Sequence, residues 1–380
     1  MTGRAGRGRA LAALAFLGTV AWAGCGRGGP DGGVVRFGVA APLEQSYGAN
    51  ALRGAEIARA EINAGGGIGG RTLEFVARSD SADPEVAVRV ANEFFADRSV
   101  IAVIGHVNSG ATLAAATVYN RGLVAVAPSA TSPEITHAGD WVFRVAPSDA
   151  ANARVLADFA LRSLGRRVAV LFANEPYGRG LKEAFVQAFV AGGGRVLEEH
   201  PYLEVETRDF EPYLLSVRRA APDFVFIAGL EDGAALIIEQ ARALGIRVPF
   251  LGGDGLVGLV RRGPVFDGTY VGLLYHPDTP GAPSRAFVQA YRERYGEDPD
   301  PYAALAYDAA RLLVEAAREA GPQRAKIRAY LADVGRAHPP MTGATGPIRF
   351  DENGDVVGKP FAVGRIAGGR IELVSVETGS

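Results

Sequence analysis

One cysteine in 380 residues, Cys25, leaves no partner for an internal disulfide and no thiolate cluster for zinc. The five histidines, at 106, 137, 200, 276 and 338, are scattered, with no H-E-x-x-H pair on one helical face. No G-x-x-x-x-G-K-[ST] loop is present, so a nucleotide triphosphate has no cradle. No G-x-S-x-G elbow offers a serine nucleophile. Lysine is nearly missing: Lys182, Lys326 and Lys359 are the only three among 40 basic residues. Against 42 acidic residues the formal net charge is −2, which gives no electrostatic case for nucleic acid or an acidic membrane surface. With no nucleophile–base pair and no ligand cluster, the expectation is a protein that is not an enzyme and holds neither metal nor cofactor. "GGGIGG", Gly65–Gly70, has the spelling of a dinucleotide fingerprint. It follows a helical pattern and leads into a strand, the reverse of what that motif requires, so it reads as a turn.

The N-terminus is more informative. Arg4, Arg7 and Arg9 precede "ALAALAFLGTVAWAGC", an apolar stretch too short for a stable membrane span, with small residues just before Cys25. Residues 1–25 read as an export signal, and "AWAGC" resembles a lipobox with Trp22 where Leu is usual. Cys25 is then the acylated residue, and "GRGGPDGG", 26–33, a flexible tether.

From Val34 onward apolar, β-branched runs alternate with helical spacing: "VVRFGVAAP", "RTLEFVARSD", "SVIAVIGHV", "GLVAVAPSA", "RVAVLFANE", "PDFVFIAGL" and "RVPFLGGDG". Strands apolar throughout and separated by helices predict parallel sheets covered on both faces. Near Ser148 the pattern restarts with "ANARVLADFALRSLGRRVAVLF", which divides the chain into two α/β units. Residues 283–334 read as helical, and "DENGD" in the β-like tail as a hairpin turn.

In open α/β sheets ligands gather outside the carboxyl ends of strands, where helix N-termini leave free amides. Two such ends in the first unit are rich in hydroxyls, "GHVNSGAT" and "APSATSPEIT". Free amides and hydroxyls without fixed positive charge suit a carboxylate, although the same residues also serve as plain caps and turns. The second unit offers Tyr177 at a helix mouth in "ANEPYGRGLKEAF". It also offers Asp254 in "FLGGDGL", either a turn aspartate or a carboxylate awaiting a cation. If the units face each other, the two ends clasp a zwitterion, and an amino acid fits.

These segments, taken in order with "GVAAPLEQSYGANALRGAEIARAEIN" and "GPIRFDENGDVVG", resemble the substrate-binding proteins of branched-chain amino acid ABC transporters over essentially residues 34–375. The resemblance implies a two-lobed type I periplasmic-binding fold, each lobe a mostly parallel α/β sheet flanked by helices, with three crossing segments and a ligand cleft between lobes. It places 34–152 and 279–345 in lobe 1, and 153–278 and 346–380 in lobe 2. Carried over residue by residue, Ser109 and Thr131 receive the α-carboxylate with the backbone near Gly110 and Ala130. Ser129 offers its carbonyl, and Asp254 its carboxylate, to the α-ammonium. Tyr47, Tyr177 and Leu230 line the cleft and favour an apolar side chain; Glu231 and Asp232 would reverse that preference if they pointed inward. Ala82 and Asn108 stand where the family's common disulfide would be.

The implied role is an exported, lipid-anchored monomer, periplasmic or on the outer face of the cell membrane. It delivers an amino acid, branched-chain or otherwise apolar, to ABC permease subunits, with no nucleic-acid partner. A second reading keeps the fold but makes the chain a sensor of an amide, aromatic acid or other small carboxylate. A repressor would need a DNA-binding module, for which residues 1–25 leave no room.

Overall fold

A computed structural model describes residues 1–2 and 33–377. The expected export signal, Cys25 and the tether up to residue 32 lie outside the described residues. The chain opens with β1 (Val34–Ala41), buried along nearly its whole length, as a strand in mid-sheet with helices on both faces must be. With β2 (Thr72–Ser79), β3 (Val100–Ile104), β4 (Ala125–Ala127) and β5 (Val142–Arg144) it forms an all-parallel sheet in the order β2-β1-β3-β4-β5. Helices α1 (Ser46–Ala64), α2 (Pro84–Ala96) and α3 (Ser109–Tyr119) connect these strands. The glycines at 65–70 form the expected turn between α1 and β2. A Cβ on Gly67, at φ +71°, would lie 2.0 Å from the Arg71 carbonyl oxygen, which only glycine avoids.

The second sheet begins after α4 (Asp149–Ser163), capped by the Ser148 hydroxyl on the Ala150 amide. It contains β6 (Arg167–Ala173), β7 (Arg195–Tyr202), β8 (Phe224–Ala228), β9 (Phe250–Gly252) and β10 (Tyr270–Leu273), joined through α5 (Pro176–Ala191), α6 (Glu211–Ala220) and α7 (Glu231–Ala243). Then α8 (Ala282–Tyr295), α9 (Pro301–Glu319) and α10 (Arg324–Ala332) return to the first sheet. Arg324 fixes α10 there through the carbonyls of Phe94, Phe95, Asp97 and Val100. A small hairpin follows, β11 (Met341–Gly343) with β12 (Gly346–Ile348). Finally β13 (Phe361–Ala367) and β14 (Arg370–Glu377) extend the second sheet antiparallel, giving the order β14-β13-β10-β9-β8-β6-β7. This is the mixed α/β architecture the resemblance implied.

Three strands lack a signal in the sequence. β5 and β10 span three and four residues, and β7 is a sheet edge whose exposure masks any apolar run. The expected division of the chain also differs in its last crossing. Residues 346–357 were expected with the second lobe but lie with the first sheet: Phe350 donates its amide to the Val334 carbonyl and packs edge-on to Phe143 at 5.1 Å. The "DENGD" turn closes through the Asp351 amide on the Asp355 carbonyl.

The physical reason is Arg144, fully buried at the end of β5. Its Nε and Nη2 reach Asp355 at 2.6 and 2.7 Å, and Nη1 donates to the Ser132 carbonyl at 2.8 Å. Leaving such a guanidinium without its carboxylate costs about 3–5 kcal/mol. A second buried network holds the same passage. Asp308 of α9 accepts from the Ala344 and Thr345 amides and the Thr345 hydroxyl, and Lys359 donates to that hydroxyl. Both segments that carry the chain past β12 are thus tied down by satisfied charge.

Candidate functional site

The carboxyl ends of both sheets face each other, and the first strand to reach this edge stops for a backbone reason. Gly105 has φ +140°, and a Cβ there would lie 2.5 Å from the Ala40 carbonyl oxygen, so β3 ends at Ile104 and the chain turns into α3. Asn108 occupies the N-cap of α3 without capping it; its side chain bonds the Tyr47 hydroxyl instead at 3.1 Å. The opening amides of α3 therefore have no side-chain cap. Opposite, "GGDG" puts Asp254 against α5. A Cβ on Gly253 would lie 2.6 Å from the Tyr177 hydroxyl, and one on Gly255 would lie 2.5 Å from the Gly229 carbonyl oxygen. The glycines are what let Asp254 come this close.

Six of the nine expected ligand residues surround one small inner cavity of about 20 Å³: Tyr47, Ser109, Ser129, Tyr177, Leu230 and Asp254. Gly110 lines the adjoining outer cleft of about 530 Å³, which shares Tyr47, Asn108 and Leu230 with the inner one. Ala130 and Thr131 do not border the inner cavity. Thr131 is fully buried, and its hydroxyl proton goes to Asp149 at 2.8 Å rather than toward a ligand. Ser109 Oγ accepts the Ser132 amide at 3.2 Å, which keeps its own proton free to donate. Ser129 Oγ donates to the Val107 carbonyl at 3.1 Å, which leaves the Ser129 backbone carbonyl as its ligand-side group.

Sequence reasoning missed two contributors. Tyr302, near the start of α9, lines the inner cavity, stacks obliquely on Tyr47 at 5.3 Å and donates to the Asp254 carbonyl at 3.4 Å. "DPDPY" marks a helix start, but nothing local says that this start returns to the cleft. Asp149, the first residue of α4, reads in sequence as an ordinary capping acid. In the structure it is 1 % exposed.

Asp149 and Asp254 make the site's electrostatics. Asp254 accepts the Tyr177 hydroxyl at 3.1 Å, and that oxygen in turn accepts the Gly255 amide at 3.1 Å. No arginine or lysine pairs with either carboxylate among the described residues. Burial pushes Asp254 up to about 6. Burial first, then the charge of Asp254, pushes Asp149 up to about 8. Burial thus biases both carboxyl groups toward the neutral form, and in Asp149 the charge of Asp254 adds to that bias while Arg144 opposes it. Glu231 and Asp232 do not line the inner cavity; they line the outer cleft, where both bind Arg262. No group of three or more potential metal ligands occurs among the described residues.

A carboxyl group that binds its proton more tightly folded than unfolded lowers stability as pH rises from about 4 through its folded value. Ligand-free Asp254→Asn is therefore expected to be more stable than wild type at pH 8 by about 1–3 kcal/mol, and no more stable at pH 4. Urea unfolding at the two pH values checks this; a variant weaker at pH 8 would mean that the carboxylate serves the fold.

Comparison with known proteins places this geometry. Residues 35–370 match the family model described as periplasmic binding protein. The Leu/Ile/Val-binding protein homolog 1 of Brucella suis is 32% identical over 362 residues, covering 92% of each chain. The crystal structure of a leucine-binding protein from Thermotoga maritima superposes with a TM-score of 0.84 at 29% identity, covering 90% of this chain and 99% of that one. A Rhodopseudomonas palustris solute-binding protein, solved in complex with benzoate, shares the fold at a TM-score of 0.83 and 23% identity, covering 92% and 98%.

Proposed function

The chain belongs to the periplasmic binding proteins, and from that premise we propose that it is the solute receptor of an ABC importer, holding the zwitterionic end of an amino acid between its lobes. What carries the reading is the buried Asp254 carboxylate on the wall of the inner cavity, across from the uncapped start of α3 and without an ion pair among the described residues. Ser109 and the first amides of α3, around Gly110, receive the α-carboxylate. Asp254 and the Ser129 carbonyl receive the α-ammonium. Thr131 contributes by holding Asp149, since its proton is committed there, and Ala130 contributes backbone only.

Each ligand charge gives up hydration and gains charge-assisted hydrogen bonds, and those bonds come from opposite lobes. The ligand therefore stabilises the form in which the lobes meet, by the contacts that only that form completes. Tyr302 belongs to the same act: it rises from α9, packed on the first sheet, and bonds the Asp254 backbone of the second. The cavity wall of Val107, Leu230 and the Tyr47–Tyr302 pair meets the ligand's side chain first, and it favours an aliphatic start. The Brucella and Thermotoga relatives, named for leucine, isoleucine and valine, support that choice of first ligands.

Anchoring through an acylated Cys25 belongs to the same proposal. No helix among the described residues is long and apolar enough to cross a membrane; the lipobox-like "AWAGC" is what supports a lipid tether. Cys25→Ser is expected to move the exported protein from the membrane to the soluble fraction on cell fractionation. An unchanged distribution would remove the anchor from the account.

Ligand stabilisation of thermal unfolding tests the receptor itself, with leucine, isoleucine and valine set beside their deaminated acids. A true ligand at a hundred times its dissociation constant stabilises by about 2.7 kcal/mol. The amino acids are expected to do so, and Asp254→Ala or Ser109→Ala to weaken binding by about thirtyfold or more. If the deaminated acids bind as well as the amino acids, the ligand is a plain carboxylate and Asp254 does not read an ammonium.

A further inference from the structure

Beyond Leu230 and Tyr47 the inner cavity opens into the outer cleft, and the wall changes character. Six carboxylates line that cleft against two guanidiniums, Arg208 and Arg262. Three of the six have work already. Glu231 and Asp232 hold Arg262, and Asp83 caps α2 on the amides of Glu85 and Val86. Glu175 and Glu204 do not form an ion pair among the described residues, yet both are largely buried.

Glu204 is fixed by the start of α7, accepting the Leu230 amide at 3.2 Å and the Gly233 amide at 2.9 Å. Glu175, at the N-cap of α5, keeps one oxygen, Oε1, fully buried with no hydrogen-bond partner. Tyr202, 2 % exposed, brings its hydroxyl to the same corner, over Gly229 and beside Glu204, and finds no well-formed hydrogen bond there. Burial, with the charge of Glu204 added, pushes Glu175 up to about 7. A buried carboxylate oxygen without a partner, on a residue lining a cleft that shares Tyr47, Asn108 and Leu230 with the ligand cavity, lacks a donor.

We propose that this corner receives the far end of the ligand's side chain, and that this end is a cation: an ammonium or guanidinium on an aliphatic stem, as in a basic α-amino acid. The proposal rests on the amino-acid reading of the inner cavity and extends it. The methylene stem runs past Leu230, Tyr47 and Val107, which accounts for the apolar wall. The charged end then gives Glu175 Oε1 the donor it lacks and offsets the repulsion between Glu175 and Glu204. A polar corner built this way discriminates strongly, because a ligand without the donor leaves the same groups dry and unpaired.

Calorimetric titration of the purified protein with lysine, arginine, leucine and norleucine tests it, since norleucine is lysine without its terminal ammonium. Lysine or arginine is expected to bind at least about tenfold more tightly than norleucine. Glu175→Gln is expected to bring that ratio below about threefold, with Glu175→Ala as a second variant and the thermal midpoint of each confirming that it folds. If leucine or norleucine binds as tightly as the basic ligands, or the ratio survives Glu175→Gln, the cationic subsite is wrong and the apolar amino-acid receptor stands. If none of the four binds a folded protein, the amino-acid reading falls and takes this proposal with it.

Discussion

Two carboxylates kept out of water without a cation are the constraint on which the functional half of this molecule depends. Asp149 opens the helix that begins the second lobe, and Asp254 follows β9 in the sheet of that lobe. Neither position is forced by its own segment. Asp149 is held by Thr131 from the first lobe, and Asp254 by Tyr177 and, through its backbone, by Tyr302. Burial biases both toward the neutral form, and neither has an ion pair among the described residues. In the proposed reading an amino acid's ammonium supplies the missing opposite sign, and the free amides at the start of α3 supply donors for its carboxylate.

The passages between lobes follow the opposite rule. Arg144 has Asp355, Ser132 and Thr136; Asp308 has two amides and a hydroxyl; Lys359 has Thr345. Buried polar groups there are matched, which makes the crossings stiff and their register unique. At the cleft the matching is poorer: Asp254 on the inner cavity has no ion pair among the described residues, and Glu175 Oε1 and the Tyr202 hydroxyl beside the outer cleft have no hydrogen-bond partner. A fold that satisfies its hinges and leaves its cleft wanting is one whose closure a ligand can drive.

Much of this is legible in the sequence, for reasons that can be named. Fully buried parallel strands are long apolar runs, so β1, β3, β6 and β8 announce themselves, whereas β5 and β10 are too short and β7 too exposed. Ser109, Ser129, Tyr177 and Asp254 lie beside strand ends and glycines, where local pattern and function coincide. Tyr302 and Asp149 do not: one sits in an ordinary helix start far along the chain, the other looks like a cap. The role expected for the Thr131 hydroxyl failed to allow for Asp149 as a competing partner. Residues 346–357 stayed with the first lobe because a buried arginine two hundred residues upstream needs Asp355, a dependence no local spacing carries.

The central claim is that Asp254, on the wall of the inner cavity and coupled through its charge to the buried Asp149, receives the ligand's ammonium. Calorimetry of ligand binding at pH 7, repeated in buffers of different ionisation enthalpy, counts the protons exchanged. A cation beside carboxyl groups that burial biases toward the neutral form lowers their affinity for protons, so binding of the amino acid should release a measurable fraction of a proton to the buffer, and Asp254→Asn should abolish the release. A binding heat identical in all buffers, or proton uptake, would contradict the account.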